Sequence, residues 1–351
     1  MSEMLEKLKN NSTIKKSQTL SKSKFFDVEI IPTRIPALNI VLSGAIDGGF
    51  CRGLTFFCGP SKHFKTSFAL ILVKAYMDKY PDSVLLFYDS EFGAPQDYFK
   101  SFGIDTDRVL HTPIKNIEEL KFDLIQQLET ITEKDKVIIM VDSIGNLPSK
   151  KEIDDAIDKK SVADMTRAKA LKGLFRMVTP YLTMNDIPLV AINHCYDTQE
   201  LYSKQVMSGG KGAYYSANSI FMVGRQQEKE GSDVIGYSFI INVDKSRFVR
   251  EKAKVPITVL FDGGISRWSG LIDLTLESGH VVKPSNGWYS KVNVSTGEIE
   301  EKKYRLKETF NKEFWMPILK DKTFKDWIET NYKLTSEHLM SGEDYDEIEN
   351  N

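Results

Sequence analysis

The chain has 351 residues, 41% hydrophobic and 27% charged, with a formal net charge of −2 at pH 7. That composition excludes a wholly disordered chain and leaves room for one large domain with one or two small ones. No apolar run approaches the length of a membrane span and no secretory signal opens the chain. Three cysteines (Cys51, Cys58, Cys195) with no Cys-x-x-Cys pair point to reduced thiols in a cytoplasmic setting, not to a disulfide framework or a zinc site.

The charge is unevenly spread. Residues 1–24 carry six lysines (Lys7, Lys9, Lys15, Lys16, Lys22, Lys24) against Glu3 and Glu6, and residues 1–30 read as a basic arm with a short helix around Met4 to Leu8. The last fifteen residues carry six acids and no Lys or Arg, so 336–351 read as an acidic tail. A basic head and acidic tail on a neutral body fit contact with a polyanion or with another copy of the chain.

From about residue 50 a regular alternation begins. Apolar runs predict strands near 54–58, 84–89, 137–142, 187–192 and 219–224, and helical spacing predicts helices over 67–79, 95–103, 116–132 and 162–182. Val137-Ile138-Ile139-Met140-Val141 has the density of a central parallel strand covered on both faces. Strands 237–243 and 255–260, separated by a basic turn over 244–254, read as an antiparallel extension. After about residue 270 short segments rich in Gly, Trp and charge read as a small separate α+β domain over 270–335. The expected fold is therefore an α/β core over 31–269 around a mostly parallel sheet, with an arm and a small C-terminal domain.

The first predicted strand runs into Gly59-Pro60-Ser61-Lys62-His63-Phe64-Lys65-Thr66, and Ser67 follows in the predicted helix. Strand, phosphate-length loop ending in Lys-Thr, and helix make a P-loop: backbone N–H groups face an anion, Lys65 neutralises it, and Thr66 offers its hydroxyl to Mg2+. The ligand read from this is ATP with Mg2+. Phe64 stands where the motif has its second glycine, so the loop must either use a φ that Phe accepts or be a decayed site. Asp142, ending VIIMVD, is the natural metal-supporting carboxylate. Glu91, just after the strand LLFYD, is placed to activate a water for attack on the γ-phosphate.

GPSKHFKT, YDSEFG, VDSIGNL, AINH and SGGKGAYYSANSIF, in this order and spacing, resemble the RecA-type recombinases, in the branch of the T-even-type bacteriophages; the resemblance runs from about 25 to 335. It implies a RecA-type P-loop ATPase core with an N-terminal oligomerisation arm, in which Phe25 and Phe26 are anchors. It implies that Tyr98 stacks on adenine and that His194, where bacterial relatives have a glutamine, relays nucleotide state to the DNA loop that follows. Lys245 and Arg247 in VDKSRF match cations that reach ATP in the adjacent subunit. The implied function is an ATP-dependent recombinase that forms filaments on single-stranded DNA and catalyses homologous pairing and strand exchange in recombination, repair and replication. Its implied partners are single-stranded DNA, homologous duplex DNA, further copies of itself, a recombination mediator and a single-stranded-DNA-binding protein, all in the host cytoplasm or nucleoid.

Two segments read as DNA loops. Residues 149–160 are a polar, nearly charge-neutral stretch. Residues 195–211 combine Tyr196, Tyr202, Lys204 and Lys211, a mixture suited to sequence-tolerant single-strand binding, and end in Gly209 and Gly210. Arg167 and Lys169, at the start of the following helix, are expected phosphate contacts, with Lys172 beside them. Two alternatives share the P-loop: a RecA-fold hexameric helicase or other DNA motor, and a catalytically weak filament protein, the latter motivated by Phe64.

Overall fold

The computed structural model describes residues 2–159, 166–198 and 205–334. Two helices, α1 (Glu3–Asn11) and α2 (Pro36–Ser43), precede the alternating core. The core then runs β1 (Gly53–Cys58), α3 (Lys65–Lys79), β2 (Val84–Asp89), α4 (Gln96–Ser101), β3 (Val109–Pro113), α5 (Ile117–Thr130), β4 (Val137–Asp142), α6 (Lys150–Ile157), α7 (Thr166–Met184) and β5 (Pro188–Asn193). A short hairpin, β6 (Cys195–Asp197) with β7 (Gln205–Met207), leads to α8 (Gly210–Ser216). Long strands β8 (Ser219–Glu230) and β9 (Asp233–Ser246), then β10 (Lys254–Leu260) and β11 (Gly264–Ile265), complete the main sheet.

That sheet has nine strands in the order β11-β10-β9-β8-β1-β5-β4-β2-β3. Strands β8, β1, β5, β4, β2 and β3 are parallel, whereas β9, β10 and β11 add antiparallel. The expected mostly parallel sheet with an antiparallel extension is the observed one. Every residue of β1, β4 and β5 is buried, because helices cover both faces. Side chains alternate across β1: Phe57 packs with Phe68 of α3, whereas Phe56 meets Phe175 of α7 on the other face.

Three local expectations differ. Edge strand β3 was not foreseen, since its half-exposed VLHTP has no apolar run. The stretch 149–160, expected as an unstructured loop, forms helix α6 over 150–157. Ser149 and Glu152 form a reciprocal capping box there, although the helix buries no side chain. The stretch 195–211 is likewise structured in its described parts, as β6, β7 and the start of α8; Tyr202 and Lys204 lie outside the described residues, as do 160–165 and the acidic tail.

The C-terminal residues form α9 (Leu271–Glu277) and a four-stranded sheet of β12 (Val281–Ser285), β13 (Trp288–Asn293), β14 (Glu298–Ile299) and β15 (Tyr304–Arg305). Helices α10 (Lys312–Lys320) and α11 (Lys322–Tyr332) follow. The expected α+β composition is present, but the unit is not separate in its packing. Trp315, Phe324 and Ile328 belong to the same buried apolar cluster as Leu38, Phe68 and Phe239. Helix α11 packs on α2, and Lys325 pairs with Asp47 at 2.9 Å. Gly44 ends α2 at φ +76, and a Cβ there would lie 2.6 Å from Lys333 Cα, so that approach requires glycine.

In the arm, α1 has no buried side chain, and Met4 and Leu8 are 63% and 57% exposed. The rest of the arm returns to its own core. Lys16 pairs with Glu133, and Arg52 donates to the Phe25 carbonyl. Phe26 is exposed. Among the described residues no helix is long and apolar enough to cross a membrane.

Candidate active site

The parallel strands bring their C-terminal ends abreast. Cys58 of β1 pairs in register with Asn193 of β5, and Asp89 of β2 with Asp142 of β4. Residues 59–66, 89–92, 142–146 and 193–194 therefore share one sheet edge, where open α/β sheets bind ligands.

In the loop after β1, Lys65 is 7% exposed and its Nζ donates to the Pro60 carbonyl (2.7 Å); burial lowers its pKa. Thr66 Oγ1 donates to Asp142 Oδ2 at 2.8 Å. Asp142 Oδ1 is buried without a hydrogen-bond partner, and burial pushes the carboxyl up to about 6. An orphaned oxygen on a buried carboxylate beside a Thr hydroxyl fits a small divalent cation, which restores the charge compensation that burial removes.

Phe64 resolves the puzzle of its position by adopting the left-handed conformation itself, at φ 62, ψ 17. For a non-glycine residue this costs about 1–2 kcal/mol. Its ring stacks on Phe239 of β9 (centroids 4.9 Å, 19°) and meets Phe68 edge-on at 5.4 Å. Each such contact contributes about 0.5–1.5 kcal/mol beyond area burial, so the packing offsets the strain and the site need not be decayed.

Three donors converge on Glu91, and all engage the same oxygen. Oε1 accepts from His194 Nε2 (3.0 Å), Asn146 Nδ2 (2.9 Å) and Ser143 Oγ. The ionised acceptor requires the proton on His194 Nε2. The His194 hydrogen bond and then the Ser143 one hold the Glu91 carboxyl below its ordinary value, against the opposing effect of burial. Among the described residues no hydrogen bond reaches Oε2, which leaves it free to accept from a water. The loop carrying Glu91 is itself held by buried Asp89, whose Oδ1 accepts from the backbone N–H of Glu91 (3.0 Å) and of Phe92 (2.8 Å). A Cβ on Gly145 would lie 2.3 Å from the His194 ring, so a glycine is needed for His194 to reach Glu91. Replacing His194 by alanine removes the leading donor to the ionised form, so the Glu91 pKa rises. The acid limb of the pH–rate profile for ATP hydrolysis then moves up from its place below about pH 4.5, as a titration of kcat between about pH 3 and 6 will show; an unmoved limb would contradict the assignment.

His194 also contacts the segment 195–211 that follows it. Its carbonyl accepts from Ser208 N–H (2.9 Å), and Asn193 Nδ2 donates to the Ser208 carbonyl (2.7 Å). Arg167 corrects its expected role. Its guanidinium donates to the carbonyls of Leu147 (2.9 Å), Ile144 (3.0 Å) and Gly145 (2.9 Å) and reaches Ser208 Oγ at 3.4 Å. With these donors engaged internally, Arg167 staples the segment after Asp142 to Ser208 and does not offer itself to a phosphate.

Lys169 is exposed, and with Lys172 and Arg176 it forms a basic stripe at i, i+3 and i+7 on α7, lining a cavity of about 500 Å³ with Lys121. Arg176 was missed, although its spacing from Lys169 is readable. Tyr196 in β6 is 57% exposed, and Lys211 is exposed at the start of α8. Ser67 and Tyr98 share a hydrogen bond through their hydroxyls. Tyr98, Phe64, Phe102, Val259 and Ile265 line a largely apolar cavity of about 760 Å³ beside the phosphate loop.

Lys245 and Arg247 lie elsewhere. Lys245 pairs with Ile220, which pairs with Phe56 in the middle of β1, and Arg247 N–H donates to the Asn218 carbonyl ahead of β8, so the two cations lie about 10–15 Å of strand back from the loop after Cys58. Lys245 Nζ donates to the carbonyls of Tyr214 (2.7 Å) and Tyr215 (3.2 Å) at the end of α8, and burial lowers its pKa. Arg247 is exposed.

Family models match nearly the whole chain: the RecA N-terminal domain over residues 2–266 and the C-terminal domain of the bacteriophage T4 recombination and repair protein over 268–328. The recombination and repair protein of Enterobacteria phage T4 is 50% identical over 339 residues, covering 95% of this chain and 87% of that protein. Protein RecA of a Nocardioides species is 27% identical over 278 residues (78% of this chain, 76% of that protein). Protein RecA of Corynebacterium efficiens is 28% identical over 292 residues (80% and 72%).

Proposed function

This chain belongs to the RecA family of recombinases, and from that premise we propose how it acts: as a single-stranded-DNA-dependent ATPase that assembles into filaments with ATP between neighbouring copies and carries out homologous pairing and strand exchange. The observation that carries the ATPase reading is Glu91, with three donors gathered on Oε1 and Oε2 left open, on the same sheet edge as the phosphate loop. Lys65 and the N-terminus of α3 bind the phosphates, and Thr66 and Asp142 hold Mg2+, which neutralises charge on the phosphate oxygens. Glu91 Oε2 orients the attacking water and takes its proton, while His194, Ser143 and Asn146 fix the carboxylate plane. A lowered pKa makes Glu91 a weaker base, yet phosphoryl transfer draws mainly on positioning, so the fixed geometry outweighs the lost basicity. Tyr98 provides an aromatic wall for adenine.

Lys245, held by the α8 carbonyls, and Arg247, toward the strand starts, both lie back from the phosphate loop of their own chain, which favours delivery to a neighbour. The exposed apolar residues of α1 offer that neighbour a packing surface. On the DNA side, Lys169, Lys172 and Arg176 contact phosphates of the bound strand together with Lys204 and Lys211, and Tyr196 and Tyr202 stack on bases. Neutralising Lys169, Lys172 and Arg176 together lowers the slope of log affinity against log salt by about 2, at about 0.7 per single-strand phosphate contact; an unchanged slope would remove these residues from the interface. Duplex DNA, a mediator that loads the filament and a single-stranded-DNA-binding protein are its further partners.

ATP hydrolysis with and without single-stranded DNA, followed by strand exchange between a single strand and a homologous duplex, tests the function. Stimulated hydrolysis with exchanged product is expected. Stimulation without exchange would turn the reading to a motor, and DNA binding without turnover would leave a filament scaffold.

A further inference from the structure

The phosphate loop holds two non-glycine residues in the left-handed region, Lys62 at φ 63 and Phe64 at φ 62. Left to itself, a loop with two such residues relaxes toward other conformations. Both are held by the same pair of strands. Arg225 of β8 donates from Nη1 to the Lys62 carbonyl (3.3 Å) and lies over the Tyr237 ring of β9 at 4.8 Å. Tyr237 neighbours Phe239 two residues along β9 (6.3 Å), and Phe239 stacks on Phe64. The contacts run without a break from Arg225 through Tyr237 and Phe239 to Phe64, and on to Phe68 in α3.

We propose that the β8–β9 pair is a brace that holds the phosphate loop in its anion-binding shape, with Arg225 and Phe239 as positioning residues acting through Lys62 and Phe64. A P-loop with glycine at the second position reaches the required conformation freely; here the ring of Phe64 is the handle by which the sheet imposes it. The brace rests on the nucleotide-site reading above, and its residues supply shape to that site without touching the reacting atoms. Because Phe239 is buried whereas Arg225 is exposed, the two ends of the brace can be tested with different risks to folding.

The test is equilibrium binding of a fluorescent ATP analogue with Mg2+ to the full chain, alongside KM and kcat for ATP. Phe239→Leu keeps apolar volume but removes the stacked ring, and Arg225→Gln removes the tie to Lys62. Each weakens nucleotide binding about tenfold, with the loss in KM and the lesser change in kcat. Phe64→Gly reaches the left-handed conformation without the ring and keeps nucleotide affinity within about threefold of native. In that background Phe239→Leu causes no further loss, because the handle is gone, whereas Phe239→Tyr in the native background retains affinity. A Phe239→Leu variant that melts earlier yet binds nucleotide normally would overturn the brace, as would equal losses from Phe239→Leu in both backgrounds. A native chain that fails to bind the analogue would instead overturn the nucleotide reading itself, and the brace with it.

Discussion

Glu91→Gln lowers ATP turnover by about 10²–10⁴-fold, the span supplied by a positioned general base. The substitution preserves shape: an amide oxygen can still accept from Ser143, Asn146 and His194, which hold Oε1 in the native chain. The amide nitrogen in place of Oε2 donates where the carboxylate accepted, so the water loses its acceptor and the proton its destination. Nucleotide binding persists, since Lys65, Thr66 and Asp142 are untouched, and the ATP-bound state accumulates. DNA binding under ATP is therefore retained or strengthened while hydrolysis fails. Parallel measurement of turnover and of single-strand affinity checks both halves. Turnover within about threefold of native would assign the water to another group.

On the proposed delivery of Arg247 to a neighbouring copy, Arg247→Ala lowers turnover by about 10³–10⁵-fold, by analogy with cations supplied in trans elsewhere. Lys245→Ala is a less clean experiment, because Lys245 also binds the last carbonyls of α8 and its loss frays that helix. The discriminating experiment mixes Arg247→Ala with Glu91→Gln chains. Each variant alone is inactive. In a mixed filament, some sites pair the intact Glu91 of one copy with the intact Arg247 of the next, and turnover reappears. No recovery on mixing, with filaments verified by sedimentation, would mean that Arg247 acts within its own chain, in conflict with its place back from its own phosphate loop.

Much of this was legible in the residues. The apolar runs of β1, β2, β4 and β5 announce buried strands because a parallel sheet covered on both faces tolerates no polar alternation. Since Asp142 ends β4, Glu91 and His194 come within two residues of the ends of β2 and β5, and the loop after β1 leads to Lys65, reading the strands also puts these four candidate residues on one edge. What escaped had no local signal, or a signal that was overlooked. Edge strand β3 is half-exposed and resembles a loop in composition. Helix α6 buries nothing, so periodicity had nothing to report, although Ser149 and Glu152 carried the capping signature. The internal role of Arg167 depends on carbonyls twenty and more residues away, and the accommodation of Phe64 depends on Phe239, from a strand far along the chain. Contacts of that kind are properties of the assembled sheet, and no window of sequence contains them.

The packing of α11 on α2 bears on how the chain is made. Asp47 and Lys325, paired at 2.9 Å, stand 278 residues apart. At about 5–20 residues per second, a ribosome needs roughly a quarter of a minute to a minute to travel between them. When β10 has emerged it can already pack on α2, whose Leu38 and Val41 end with no exposed surface, but the α11 part of that cover has not yet been synthesised. The core over α2 thus closes only after α11 has been made, long after the strands that position the phosphate loop.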